Sequence, residues 1–465
     1  MSDKRHVVVV GGGIAGLTSA LTILVDSPVP VDVTVLEASD RVGGLIKTSR
    51  FAGLDVDEAA DAFLTRVPWA SQLASELGLG AALTSPTGAP AAVWHDGMHE
   101  IPGDLLLGVP AKLRSFVTSD LFSPAGKVRA ALEPLLPRTH DEDSIGDYVR
   151  RRFGNQILER LVDPLVGSIY AADTDRFSLE AVPQIHALTN ERSMLLAAAK
   201  ARRTAAKNAR PGDTIFGAPL KGMGALIETL VQRVESLGGR VHVGARVETI
   251  ERSGARHTVN TTNAVYACDA IVVASPAAHS AAFMRGLDAN AAEILSTWDH
   301  ASVVLITLAV PPSDWPSHLT GSGYLVPKPD QRWVTAASFG SNKWAKWRPA
   351  DGSMIVRVSL GRDGLDVMGH SDEHLLDMAL ADMKLHLGFD IQPTEVRLSR
   401  WADSFPQYRP HHFRKLDMLE RSLAASAPGV VFAGASYRGI GIPACVQQAR
   451  AAGEVVTKRL SALRN

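Results

Sequence analysis

The chain has 465 residues, 46% apolar and 21% charged, which supplies a sizeable core and excludes a disordered chain. Its 48 Lys and Arg against 49 Asp and Glu leave a formal net charge of -1, so bulk charge gives no basis for nucleic-acid binding. The two cysteines, Cys268 and Cys445, exclude a disulfide scaffold and a multi-cysteine metal site, and they suit a reducing compartment.

Residues 7–25 carry no charge and follow Lys4, Arg5 and His6, a pattern shared with signal peptides and short membrane helices. Gly11, Gly12, Gly13 and Gly16 interrupt it, and the better reading is a buried strand at 7–10 running into a helix from Ile14. A second β-branched strand is expected at 31–36 and a helix at 70–80, closing at Gly78 or Gly80. From 101 to about 210 the chain reads as mostly helical, punctuated by Pro102, Pro110, Pro124, Pro134 and Pro137. A helix at 224–237 precedes strands at 240–243 and 270–274. Strands follow at 302–310, 324–326, 333–339 and 354–360, then a helix at 372–387. A strand at 430–433, a glycine-rich run and a helix from about Cys445 end the chain. No other stretch of 18 or more apolar residues occurs, so no transmembrane span is expected.

Gly11-Gly12-Gly13-Ile14-Ala15-Gly16 satisfies G-x-G-x-x-G directly after a strand and at the opening of a helix, the context that makes the pattern meaningful. Gly11 permits the tight turn, Gly13 lets backbone approach a pyrophosphate, and Gly16 lets helix and strand pack closely. The helix N-terminus at Ile14 and Ala15 offers free N–H groups and partial positive charge to the phosphates. Glu37, 21 residues after Gly16, stands where a carboxylate accepts ribose hydroxyls. It is followed by Ala38-Ser39-Asp40-Arg41-Val42-Gly43-Gly44, a turn foreign to the NAD pattern. There Gly43 and Gly44 would admit backbone to the cofactor, and Arg41 would place a charge near the pyrophosphate. The run 431–445 is a strand, a glycine loop and a helix start. A second helix N-terminus aimed at a cofactor would stabilise negative charge on a reduced flavin ring.

These segments resemble the second dinucleotide signature of the flavin amine-oxidase superfamily. Nearly end to end, the sequence resembles the oxygen-dependent protoporphyrinogen and coproporphyrinogen oxidases of haem biosynthesis. Residues 11–16, 37–48, 147–154, 163–171, 321–327, 405–408 and 433–445 carry the resemblance. Tyr437-Arg438-Gly439-Ile440-Gly441-Ile442-Pro443-Ala444-Cys445 is its most specific part. That ending, with Arg150-Arg151-Arg152-Phe153-Gly154, resembles the Gram-positive, actinobacterial branch, which oxidises coproporphyrinogen III to coproporphyrin III.

The resemblance implies an α/β fold with a Rossmann-type FAD-binding domain assembled from discontinuous segments, here 1–65, 213–292 and 395–465. It also implies a substrate-binding region of mixed sheet at 293–394 and a mostly helical lobe at 66–212. FAD would be held non-covalently by Gly11, Gly13, Ile14, Ala15, Gly16, Glu37, Ala38, Arg41, Gly43, Gly44, Val247, Trp401, Gly434, Ile440, Gly441 and Ile442. The Val247 backbone would meet the adenine. No cysteine lies near 401–408, where covalent amine oxidases carry their flavin-linked cysteine. The implied reaction removes electrons and protons from a porphyrinogen in pairs, with O2 reoxidising the flavin and releasing H2O2. It needs no metal and no protein nucleophile.

On the same resemblance, Leu325 and Phe339 would pack on the macrocycle, and Gly167 and Ser168 would approach its pyrroles through backbone carbonyls. Tyr408 would lie near the flavin and the propionates. Plain core packing is the competing reading for each. Arg66 stands in for a propionate-binding arginine whose place aligns near Trp69. Ser168, His411 and Lys221 depart from the family's usual glycines. The segment 101–137 interleaves leucines with Lys112, Arg114, Lys127 and Arg129, as either a lid packed on its own core or a weak peripheral membrane contact. A cytoplasmic location is expected, with a ferrochelatase as candidate partner for product hand-off. The alternatives are a protoporphyrinogen IX oxidase and a non-catalytic flavin-fold porphyrin carrier, the latter disfavoured by the intact flavin segments.

Overall fold

A β-branched run without charge can be buried on both faces only where helices cover both sides of a parallel sheet. In the computed structural model, Arg5–Val10 is the middle of a five-stranded parallel sheet. Its spatial order is Arg240–His242, Val31–Leu36, Arg5–Val10, Ala270–Val273, Val430–Phe432. The structure describes residues 4–103, 105–111, 113–137, 144–208 and 214–463. Lys112, the Arg114 side chain and the expected boundary at 212/213 lie outside the described residues.

Alternation along the central strand sends Val7 and Val9 to one face and Val8 and Val10 to the other. The first pair packs with Leu17 of helix Ile14–Asp26, Leu230 of Gly224–Ser236 and Val446 of Ile442–Ala462. The second packs with Met284 of Ala277–Met284, Leu295 of Ala289–Ser296 and Leu416 of His412–Ser426. An antiparallel ribbon, Val247–Ser253, Arg256–Thr261 and Val265–Cys268, fills the connection between Arg240–His242 and Ala270–Val273.

A seven-stranded mixed sheet runs Glu395–Pro406, His300–Val310, Met354–Leu360, Val334–Phe339, Gly323–Leu325, Ala91–Trp94, Met98–Glu100. One face, through Val304, Ile306, Val356 and Val358, is covered by Leu375, Ala379 and Met383 of helix Asp372–Leu387. This sheet extends beyond the expected 293–394 at both ends. Glu395–Pro406 belongs to it rather than to the dinucleotide domain, because it pairs along most of its length with His300–Val310. Ala91–Trp94 joins it from within the expected helical lobe by pairing parallel to Gly323–Leu325. The hairpin Thr48–Phe51 and Leu54–Asp57 and the helix His412–Ser426 are additions to the expected elements.

The helical lobe packs Phe116, Leu121, Phe122, Tyr148, Phe153 and Leu161 into its own core. Its surface leaves Val128, Leu132 and Leu135 exposed. Among the described residues, no helix is long and apolar enough to cross a membrane. The lobe docks on the sheet through a buried bidentate pair. Arg362 donates from Nη1 to Asp163 Oδ2 at 2.9 Å and from Nη2 to Asp163 Oδ1 at 2.8 Å. Thr174 adds its hydroxyl to the same carboxylate at 2.8 Å.

Burial alone would raise the Asp163 carboxyl, but the hydrogen bonds and charge of Arg362 outweigh it and hold Asp163 below its ordinary value. Its contribution is therefore present above the unfolded carboxylate value near ~4 and lost as pH falls through the lower folded value. Asp163→Asn is expected to destabilise the protein by about 3–5 kcal/mol at neutral pH, because it leaves Arg362 buried and uncompensated. It should also flatten the acid limb of a chemical-denaturation series. Wild-type-like stability of the variant would contradict this account of the docking.

Candidate active site

The C-terminal ends of the parallel strands converge. Gly11 N–H reaches Leu36 O at 2.8 Å, Glu37 N–H reaches His242 O at 2.8 Å, and Ala433 N–H reaches Val273 O at 3.0 Å. The chain winds to opposite sides from the central strand, so a crevice opens at the switch point, where such sheets bind ligands. A Cβ on Gly16 would collide with Gly11 O, so Gly16 is a packing requirement of the fold. Gly13 is different. Its backbone is extended, at φ -75°, and a Cβ there would meet nothing within 4 Å. Among the described residues nothing demands glycine at 13, and its open side leaves room for a ligand at the helix N-terminus of Ile14 and Ala15.

Glu37 Oε2 accepts Gly12 N–H at 2.7 Å, and Oε1 accepts Ser39 N–H at 2.9 Å, which fixes the carboxylate at the strand end beside exposed Ala38. Gly43 N–H bonds Gly12 O at 2.8 Å, laying Gly43 and Gly44 along the first glycine loop. Gly244 N–H to Ser39 O (2.7 Å) and Ala245 N–H to Glu37 O (2.8 Å) bring half-buried Val247 to the same end. Gly434, at φ 120°, places its open side toward Ala15 Cβ and Ala274 O, both 3.6 Å from a virtual Cβ. Ile440 packs on the helical-lobe core, and Gly441 and Ile442 open the last helix.

Arg41 donates to Val42 O at 3.1 Å and Gly44 O at 2.7 Å, which anchors its guanidinium on the turn that carries Gly43 and Gly44. It lies 5.8 Å from the ring centre of Trp401, which is 7% exposed and has an unpartnered Nε1. This contact joins the dinucleotide turn to the open face of the seven-stranded sheet.

That face carries a level row across five strands. Leu325 lies opposite Ala336, Ala336 opposite Ser359, and Ser359 opposite Leu305, all half-buried. The row ends at Ser399, and Trp401 follows on the same strand opposite Val303. The next row is Arg397, Thr307, Arg357 and Ser338, and each has one buried polar atom without a partner among the described residues. Arg357 donates to Ala59 O at 2.6 Å and reaches Asp61 at 3.4 Å. Arg397 donates to Ser49 Oγ at 2.8 Å. Burial would raise the Asp61 carboxyl, but Lys343 and Arg357 outweigh it and hold Asp61 well below the ordinary range.

Phe339 is a correction. The alternation that points Leu325 and Ala336 to the open face turns Phe339 to the other, where it is 4% exposed and edge-on to Trp315 at 4.8 Å. It cannot wall the cleft. Tyr408 is 1% exposed, and its hydroxyl bonds the 434–441 loop, so it presents no free group to a propionate. Gly167 is buried with its open side 3.1 Å from the Arg362 guanidinium, so glycine makes room there for the docking arginine. Ser168 is exposed, with Oγ on Leu165 O at 3.0 Å. Arg66 is exposed and, among the described residues, has no hydrogen-bond or ionic partner.

Sequence reasoning missed Leu305, Ala336 and Ser359, and the arginines Arg357 and Arg397. The period-two alternation of 302–310 held the signal, but an almost wholly apolar strand does not reveal which face is covered.

The glycine contrast is directly testable. Gly13→Ala is expected to cost at most about 1 kcal/mol of stability while weakening flavin binding roughly tenfold, about 1.4 kcal/mol. Gly16→Ala should lower stability by about 1–3 kcal/mol through overpacking. Unchanged flavin affinity in Gly13→Ala would contradict the assignment of the crevice.

Residues 14–457 match the family model of flavin containing amine oxidoreductases. The chain is 32% identical over 469 residues to the coproporphyrinogen III oxidase of Bacillus subtilis (strain 168), covering 97% of this chain and 98% of that protein. It is 25% identical over 472 residues to protoporphyrinogen oxidase 1, chloroplastic, of Arabidopsis thaliana, covering 95% and 86%. A crystal structure from Exiguobacterium sp. 255-15 superposes with a TM-score of 0.86 at 25% identity, covering 98% of this chain and all of that one. With the crevice, the open Gly13 and the full-length match in hand, the chain belongs to the flavin containing amine oxidoreductase family and is a flavin-dependent oxidoreductase.

Proposed function

We propose that the protein holds FAD non-covalently and oxidises coproporphyrinogen III to coproporphyrin III, with O2 as acceptor. One coproporphyrinogen and three O2 give one coproporphyrin and three H2O2, two electrons and two protons leaving in each cycle. Bound FAD would supply the hydride acceptor. The observation that carries this reading is the sheet row of Leu325, Ala336, Ser359 and Leu305, joined to the dinucleotide turn through Arg41 and Trp401.

The residues divide the work. Gly13, Gly44 and Gly441 leave backbone open to the cofactor, and Glu37 keeps acceptor capacity for a ribose. Two helix N-termini, at Ile14 and Ile442, favour negative charge. Leu325, Ala336, Ser359 and Leu305 form a floor on which a planar macrocycle can lie. Exposed Ser168 and Ile169 face solvent from the lobe, and Arg66 is a cation with no competing partner for a propionate among the described residues.

Burial pushes the Cys445 thiol up to about 12, which makes it a poor nucleophile and favours non-covalent cofactor binding. The higher identity to a coproporphyrinogen oxidase than to a protoporphyrinogen oxidase supports the four-propionate substrate. On this reading the substrate sheet extends through Pro406 and includes Ala91–Trp94, with the flavin domain resuming after it. The two buried thiols suit a cytoplasmic location.

Anaerobic mixing tests the substrate. Coproporphyrinogen III is expected to bleach the visible flavin band faster than protoporphyrinogen IX. The opposite order would make protoporphyrinogen the substrate, and no bleaching by either would overturn the reading. Arg66→Ala is expected to raise KM roughly three- to tenfold, with kcat within about twofold, as for one partly screened charged contact. An unchanged KM would remove Arg66 from the site.

A further inference from the structure

Gln407 and Tyr408 follow the long strand Glu395–Pro406 and are 3% and 1% exposed. The dipeptide has bonds in two directions. Toward the helical lobe, Gln407 Nε2 donates to Tyr170 O at 3.1 Å, and Tyr408 O accepts Ser178 N–H at 2.7 Å. Toward the crevice, the Tyr408 hydroxyl donates to Ala435 O at 2.7 Å and accepts Gly439 N–H at 2.8 Å. Both partners lie in the loop that carries Gly434 and Gly441.

The Tyr408 ring stacks on His412 with centroids 3.8 Å apart and planes 11° apart. His412 Nε2 lies 2.7 Å from Tyr437 O, at the middle of the same loop. A carbonyl only accepts, so Nε2 carries the proton. Burial holds His412 down to about 4, which keeps the ring neutral and this donor in place at neutral pH.

We infer that Tyr408 and His412 are positioning residues that fix the 434–441 loop against the flavin and tie its shape to the helical lobe. Three of the loop's backbone groups, at 435, 437 and 439, bond one stacked pair, and the same tyrosine's carbonyl holds the lobe at Ser178. The loop's own side chains anchor it at Ser436 to Ala277 N–H, at Tyr437 to Ser275 O and at Arg438 to Asp417, and the stacked pair adds the bonds that hold its backbone between the glycines. This inference rests on the flavin reading above.

The test uses holoenzyme. Tyr408→Phe keeps the ring and the stack and removes both hydroxyl bonds. It is expected to raise the flavin dissociation constant roughly five- to tenfold, as for two lost buried hydrogen bonds. It should also shift the bound-flavin visible spectrum and lower kcat more than it raises KM. His412→Leu should behave similarly, while His412→Gln, which can present a donor to Tyr437 O, should recover part of the affinity. Tyr324→Phe is the control. It removes a buried tyrosine bond to His386 (3.1 Å) in the sheet core, away from the loop, and should leave flavin affinity and spectrum unchanged. Wild-type affinity and spectrum in both Tyr408→Phe and His412→Leu would overturn the inference alone, as would an equal loss in Tyr324→Phe. A wild-type protein that binds no flavin would overturn the flavin reading and this inference with it.

Discussion

Two arginines on the sheet, Arg357 and Arg397, reach across to the segment 49–61 of the dinucleotide domain and bond its backbone and side chains. Glu58 completes the seam, taking Ser49 Oγ at 2.7 Å and Ser399 Oγ at 2.8 Å. Charges this far from water persist only when they are paired and hydrogen-bonded. The seam therefore tolerates little sliding, and it sets how far the sheet face stands from the glycine crevice. Beside this polar join the two units share an apolar contact, in which Ala309, Ile355, Trp344 and Trp347 of the sheet side cluster with Phe51 and Val56, and the helical lobe is tied to the sheet separately at Asp163–Arg362.

The dinucleotide crevice was legible because its chemistry is local. Gly11 to Gly16, Glu37 and the turn to Gly44 fall at fixed spacings within one strand–helix–strand unit, and the structure brings these segments together at one end of the parallel sheet. The substrate side was legible only in part. Leu325 reaches the open face and Phe339 does not, because the face of a strand depends on register and bulges set by distant partners, here the irregularity between Val334 and Ala336. That Arg41 is anchored on the carbonyls of its own turn was not legible, because motif spacing carries no side-chain conformation. The extent of the sheet was hidden, as the face of Phe339 was, by dependence on distant partners. Glu395–Pro406 and Ala91–Trp94 acquire their place from strands about a hundred or more positions away along the chain.

Tyr408, expected near the flavin and the propionates, has its ring stacked on His412 and its hydroxyl bonded to backbone of the 434–441 loop. The helical lobe, the sheet and the glycine loop meet at this side chain. Movement of the lobe would therefore reach the loop through two short bonds and no flexible linker.

The central claim is that the two halves of the cleft act as one flavin-dependent oxidase of a porphyrinogen. Its most direct test is stoichiometric. Turnover of coproporphyrinogen III is followed in air with O2 uptake, H2O2 release and porphyrin fluorescence recorded together, against a protein-free blank. The account predicts protein-dependent formation of one coproporphyrin for every three O2 consumed and three H2O2 released. Porphyrin formation no faster than the blank, or one not matched by O2 uptake, would contradict it.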